Sequence, residues 1–150
     1  MNSHLIPHEF SPTISNCPTR LILSVDDEPN ILCTRQAILE SEGYEVLSAL
    51  DGKTALLLFD ARAAIDLVLL DFAMPGMDGL AVAWEMKTRR PYVPIYMISA
   101  HETALSKLAL VNVDSLIPKG LGPAYLLEKI GQLFRPHASE RPHASERRIA

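Results

Sequence analysis

Five short apolar runs, each followed by a segment of helical periodicity, fill residues 20–134, and this alternation constrains the fold more than any other feature of the chain. The runs are Leu21–Val25, "YEVLSA" (44–49), "DLVLLD" (66–71), "VPIYMISA" (93–100) and "DSLIP" (114–118). Runs this short, bounded by polar residues, read as buried strands. After the first, Pro29 sits at a first helical position, and Ile31, Leu32, Ile38 and Leu39 recur at helical spacing up to Gly43. Helices are also predicted over 51–62, opened by a capping Asp51, over 78–90 and over 102–111. In the last, 122–134, Pro123 fits the first turn, and Leu126, Leu127, Ile130 and Phe134 form one apolar face. Apolar strands that alternate with helices require a parallel sheet covered on both sides. The prediction is an α/β fold, a doubly wound (βα)5 domain with a five-stranded parallel sheet, over residues 20–134.

Residues 1–19 are rich in Pro, Ser, Thr and Asn and read as a disordered lead. Residues 135–150 contain a direct repeat, Arg135–Glu140 then Arg141–Glu146, with a Pro in each unit and no apolar periodicity; they read as a disordered tail. The net charge is −4, so the global field does not favour nucleic acid or an anionic membrane. No stretch is apolar enough to span a bilayer, and the N-terminus lacks a secretory pattern. Cys17 and Cys33, the two cysteines, do not suggest a structural disulfide, and a reducing, cytoplasmic setting is the expectation.

Right-handed crossovers and a reversal of strand order open a crevice at the carboxyl ends of the central strands. The polar residues fall there. Asp26 and Asp27 follow the first strand, Asp71 ends the third, Ser99 ends the fourth and Lys119 follows the fifth. Two unit charges ~5 Å apart at an effective dielectric of ~20 repel by roughly 3 kcal/mol, so three carboxylates in one crevice call for a hard cation. Carboxylates, a backbone carbonyl and waters are Mg²⁺ ligands that leave room for phosphate oxygens. An ionised Asp can also attack phosphorus to give an aspartyl phosphate. The Ser99 hydroxyl and the Lys119 ammonium complete the set. The competing reading of Asp26 to Asn30 is a polar turn with a helix cap.

These stretches, "LILSVDDEPN", "DLVLLDFAMPGMDG", "PIYMISA" and "SLIPKG", resemble the receiver domain of two-component response regulators, in its stand-alone form. The resemblance covers about residues 20–134 and implies a flavodoxin-like strand order, 2-1-3-4-5. It implies Asp71 as phosphoacceptor, Asp26, Asp27 and Asp71 at Mg²⁺ with the Ala73 carbonyl, Ser99 as the switch hydroxyl and Lys119 as the phosphoryl-contacting lysine. The implied partners are a histidine kinase or phosphotransfer protein and a downstream protein read through helix 102–111 and strand 114–118, with a homodimer left open. After Phe134 there is no room for a helix-turn-helix unit, so direct nucleic-acid binding is not expected, nor is membrane binding.

Two positions depart from the family pattern. Leu116 stands three residues before the lysine, where receivers usually carry Tyr or Phe. Pro118 precedes Lys119 and Gly120 follows it, whereas the lysine is usually followed by Pro. A cis peptide between Lys119 and Gly120 would cost ~3 kcal/mol, so a different loop is expected. A phosphorylation-independent scaffold is therefore the alternative to a phosphoacceptor switch. An enzyme, such as a phosphohydrolase acting through an aspartyl phosphate, is not expected: Ala73 stands where a second acid–base carboxylate would be. Met74 and Met77 read as packing residues, His101 as an exposed residue near the crevice, and Trp84 as either core or partner contact.

Overall fold

The apolar runs become strands β1 (Leu21–Val25), β2 (Glu45–Ala49), β3 (Ile65–Asp71), β4 (Ile95–Ser99) and β5 (Ser115–Pro118). Between and after them lie helices α1 (Pro29–Ser41), α2 (Gly52–Ala61), α3 (Gly79–Arg89) and α4 (Gly122–Phe134). This is a computed structural model, and it describes residues 18–100 and 112–135. The predicted helix 102–111, His101, Cys17, nearly all of the lead and all but the first residue of the repeat-bearing tail lie outside the described residues. The strands form one parallel sheet in the order β2-β1-β3-β4-β5. The predicted strand order is thus the one found, with element ends differing from the sequence expectation by one or two residues.

Period-two alternation sorts the strand side chains into two cores. Leu23, Val25, Val68, Leu70, Ile95 and Met97 pack with Ala55 and Phe59 of α2 and Val82, Ala83 and Met86 of α3. Ile22, Leu67, Leu69, Ile98 and Ile117 pack with Leu39 of α1 and Leu126 and Ile130 of α4. Met74 is buried in the first core and Met77 packs against it. Trp84, by contrast, is 54% exposed between buried Ala83 and Met86, so it is not a core residue. Its position on α3 falls on the outward side of a helix whose inner side is already filled.

Local chemistry sets the helix starts. The Asp51 carboxylate accepts from the Thr54 N–H at 2.7 Å and opens α2, and the Asp78 carboxylate accepts from the Leu80 N–H at 3.0 Å and opens α3. The chain leaves β5 through a short 3-10 turn, Lys119–Leu121, and Gly122 at φ +75° turns it into α4 with Pro123 in the first turn. No peptide bond is cis among the described residues, so the Pro118–Lys119–Gly120 order does produce its own loop. Pro118 closes an edge strand, where a missing N–H is tolerated.

Candidate functional site

Strand register builds the site. β1 runs between β2 and β3, and Val25 is paired with Leu70, so the next residues along each strand, Asp26 and Asp71, emerge side by side. Asp71 is paired with Ile98 and Ser99 with Pro118, which brings Ser99 and then Lys119 to the same edge. The crossover from the β2 side to the β3 side puts this edge at the reversal of strand order, the expected crevice.

Carboxylate oxygens of Asp26, Asp27 and Asp71 all lie within 4.8 Å of one another. Asp26 and Asp71 are buried, at 0% and 1% exposure, and Asp27 is partly exposed. Lys119 Nζ stands 3.0 Å from Asp71 Oδ1. The pair is close, but it lacks hydrogen-bond geometry, and neither Asp71 oxygen has a hydrogen-bond partner among the described residues. Burial pushes the Asp71 carboxyl above its ordinary range; Lys119 opposes the shift, and Asp26 and Asp27 add to it. For Lys119, burial works against the charged form, but Asp71, with Asp26 and Glu28 behind it, outweighs burial and raises the ammonium's pKa.

A buried carboxylate with no hydrogen bond at either oxygen, and one ammonium against three acids, is a poor arrangement unless a further cation joins it. An all-oxygen donor set of this kind suits Mg²⁺. Ser99 is buried at the end of β4. Ala73, two residues beyond Asp71, lies exposed on the loop that leads to α3. Leu116 is half-buried against the α2–α3 core, with Met97 as its partner across the strands. The residues singled out from the sequence for this site are therefore at or beside the carboxyl edge, except Leu116, which lies lower on β5, three residues before Lys119.

The loop after β3 is held tightly. Phe72 N–H donates to Ile98 O at 2.9 Å, and Gly79 N–H donates to Phe72 O at 3.3 Å. A Cβ on Gly79 would lie 2.7 Å from the Asp71 carbonyl oxygen and 3.0 Å from Phe72 Cα, so only glycine lets α3 start this close to β3. Gly76, at φ +76°, makes the turn in between.

The acidic stretch after β1 is both a polar turn and part of the acidic cluster, but the helix cap expected with the turn is not formed: Glu28, at the start of α1, makes no side-chain cap hydrogen bond. Asp26 Oδ1 accepts from the Glu28 N–H at 3.1 Å, a local turn bond, while the carboxylate also belongs to the three-acid cluster. One residue of the site escaped the sequence reading. Arg35, on α1, is 8% exposed and donates from Nη2 to Asp26 Oδ2 at 3.0 Å and from Nη1 to Ser24 Oγ at 3.1 Å. The signal was present: Arg35 sits between Leu32 and Leu39, at helical spacing, in the middle of the apolar stripe.

A family model described as the response regulator receiver domain matches residues 22–131. The chain is 33% identical over 144 residues to the sensor protein GacS of Pseudomonas syringae pv. syringae, covering 89% of this chain and 16% of that protein. It is 32% identical over 116 residues to the sensory transduction protein RegX3 of Mycobacterium tuberculosis, covering 76% of this chain and 50% of that one. The chain thus spans half or less of these curated relatives. Among solved structures, the response regulator TrrA from Thermotoga maritima in complex with Mg²⁺-BeF is similar, with a TM-score of 0.72, 36% identity and coverage of 77% of this chain and 99% of that one. A structure of the histidine kinase ThkA in complex with TrrA matches with a TM-score of 0.71 and 35% identity, covering 78% of this chain and all of its counterpart (100%).

Proposed function

The chain belongs to the response regulator receiver domain family, and on that premise we propose that Asp71 is the phosphoacceptor of a signalling switch. The observation that carries this reading is the buried Asp71 carboxylate, without a hydrogen bond at either oxygen among the described residues, with Asp26, Asp27 and the ion-paired Lys119 ammonium gathered around it. Asp26, Asp27, Asp71 and the Ala73 carbonyl would hold Mg²⁺. When bound, the ion offsets the carboxylates and the incoming phosphoryl oxygens.

An ionised Asp71 oxygen attacks the phosphorus of a phosphohistidine on a histidine kinase or phosphotransfer protein. An O–P bond forms, the N–P bond breaks, and its electron pair stays with the imidazole. The kinase partnership is supported by the solved ThkA–TrrA complex, and the ion by the Mg²⁺-BeF complex of TrrA. Lys119 holds one phosphoryl oxygen by charge, and the Ser99 hydroxyl donates to another. These contacts exist only in the phosphorylated state, so they shift the equilibrium between conformations. The shift is read by a downstream protein through residues 102–111 and β5. The receiver unit is residues 20–134, and its chemistry is limited to forming and losing its own acyl phosphate in the cytoplasm.

Incubation with a small phosphodonor and Mg²⁺, followed by intact-mass measurement, tests the reading. A phosphoryl adduct is expected on the wild type and not on Asp71→Asn or in excess chelator. An adduct that persists in Asp71→Asn overturns the assignment. A phosphorylation-independent scaffold is the second reading, favoured by the aliphatic Leu116 on β5. It predicts partner binding that is the same with and without the phosphodonor.

A further inference from the structure

Five polar or charged side chains are buried among the described residues: Ser24, Asp26, Arg35, Asp71 and Ser99. Arg35 joins two of the others. Its two terminal nitrogens reach Ser24 Oγ and Asp26 Oδ2, and Asp26 Oδ1 is taken by the Glu28 N–H. Asp26 is therefore clamped at both oxygens, whereas Asp71 has no hydrogen-bond partner among the described residues. The alternation of β1 explains the contact. Ser24 and Asp26 share the parity of Ile22, whose side chain is in the α1–α4 core, so both point toward the helix that carries Arg35.

Three carboxylates then share two permanent cations, Lys119 against Asp71 and Arg35 against Asp26. Arg35 cannot give up its proton, so its charge is always present. It is bonded to Asp26 Oδ2 and almost shielded from water, where screening is weak. A divalent ion entering the pocket therefore meets a cation already paired with one of its carboxylates.

We propose that Arg35 is a positioning residue for this site that also sets how tightly the pocket takes Mg²⁺. It fixes the Asp26 carboxylate and lowers the pocket's affinity for the divalent ion, which keeps the metal-free form stable. The inference rests on the reading of the pocket as a Mg²⁺ site. Two consequences are coupled. Removing the charge leaves Asp26 buried and unpaired, which destabilises the metal-free protein. The same change makes Mg²⁺ more favourable, since the ion becomes the main compensation for Asp26. By linkage, Mg²⁺ must then stabilise the neutral variant more than it stabilises the wild type.

The test is calorimetric titration of the full chain with Mg²⁺ alone, alongside thermal melts in chelator and in Mg²⁺. The variants are Arg35→Met, Arg35→Gln and Arg35→Lys. Met and Gln remove the charge, and Gln keeps a hydrogen-bonding amide should the Met variant fail to fold. Lys keeps the charge and loses the two-pronged grip. We expect the neutral variants to bind Mg²⁺ at least tenfold more tightly, to melt earlier in chelator and to recover more on adding Mg²⁺, with Lys within about threefold of wild type. Neutral variants with unchanged or weaker affinity overturn the proposal, because a merely structural arginine would move the melts alone. A Lys variant that tightens as much as Met also overturns it, because charge would then not be the cause. If the wild type and all variants fail to bind Mg²⁺, the metal reading of the pocket falls and this inference falls with it.

Discussion

Replacing Asp71 with Asn should stabilise the metal-free protein at neutral pH. The carboxylate oxygens of the cluster lie within 4.8 Å of one another, so at an effective dielectric of ~20 Asp26 and Asp27 each repel an ionised Asp71 by roughly 3 kcal/mol. Lys119, at 3.0 Å, returns about 5 kcal/mol on the same scale. The remainder is about 1 kcal/mol against the charged form, and desolvation of a carboxylate without hydrogen bonds adds to it. The amide loses the Lys119 attraction along with the repulsion, so the net gain expected for Asp71→Asn is about 1–2 kcal/mol. The pH dependence follows from the direction of the shift. Asp71 has a folded pKa raised above 3.8, mainly by burial. For a raised pKa, stability is fully present below the unfolded value and is lost as pH rises through the folded value. The advantage of Asn should therefore be nearly absent at the acid end of the carboxylate range. It should grow as pH rises through the folded pKa of Asp71 and then stay constant. Urea melts of both proteins in chelator, stepped across that range, measure it. An Asn variant less stable than wild type at neutral pH, or a difference that does not vary with pH, refutes the reasoning.

Mg²⁺ at ten times its dissociation constant should raise the stability of the wild type by about 1.4 kcal/mol; a melting midpoint that does not move at high Mg²⁺ counts against the metal site. Asp27→Asn should also stabilise the metal-free protein, by about 1–3 kcal/mol, and should lose phosphorylation; chelator melts and intact mass read the two effects separately. Gly79→Ala should destabilise by about 2–4 kcal/mol, because its Cβ would meet the Asp71 carbonyl oxygen at 2.7 Å, and a variant that melts like wild type would show that the loop yields freely. Phosphorylation should change amide hydrogen exchange across residues 99–118, and Ser99→Ala should blunt that change while leaving the Asp71 adduct in place. Identical exchange with and without the phosphoryl group would favour the scaffold reading.

The residues of the pocket could be named from the sequence because the fold makes strand ends predictable. Once five apolar runs alternate with helices, a parallel sheet follows, and polar residues that end those runs must share one edge. Asp26, Asp71, Ser99 and Lys119 are such residues. Arg35 obeys a different rule. It lies on a helix, and although its spacing from Leu32 and Leu39 puts it in the apolar stripe, the stripe alone does not say what a buried charge would pair with. Only the β1 parity, which points Ser24 and Asp26 toward α1, gives that charge buried partners. Trp84 was equally ambiguous, since helical spacing alone does not say which neighbours of Ala83 and Met86 face outward.

On the proposed reading, β5 is where the pocket and the surface read by a downstream protein meet. Lys119 leaves its end at the acidic cluster, and Ser99 is paired with Pro118 just before it. Three residues back, Leu116 packs on the α2–α3 core, while its neighbour Ile117 is buried on the α1–α4 side. A pull on Lys119 therefore acts on a short strand whose two sides are seated in different cores. An aliphatic side chain at Leu116 can fill its space more or less fully, but it has no ring to swing and no hydroxyl to trade between hydrogen bonds. The energy difference it can add between two states is the small one of altered apolar contact. On the proposed reading, the larger differential contacts are those of Ser99 and Lys119 with the phosphoryl group. Any switching in this chain is then governed by the chemistry at the pocket, with Leu116 as a weak reporter.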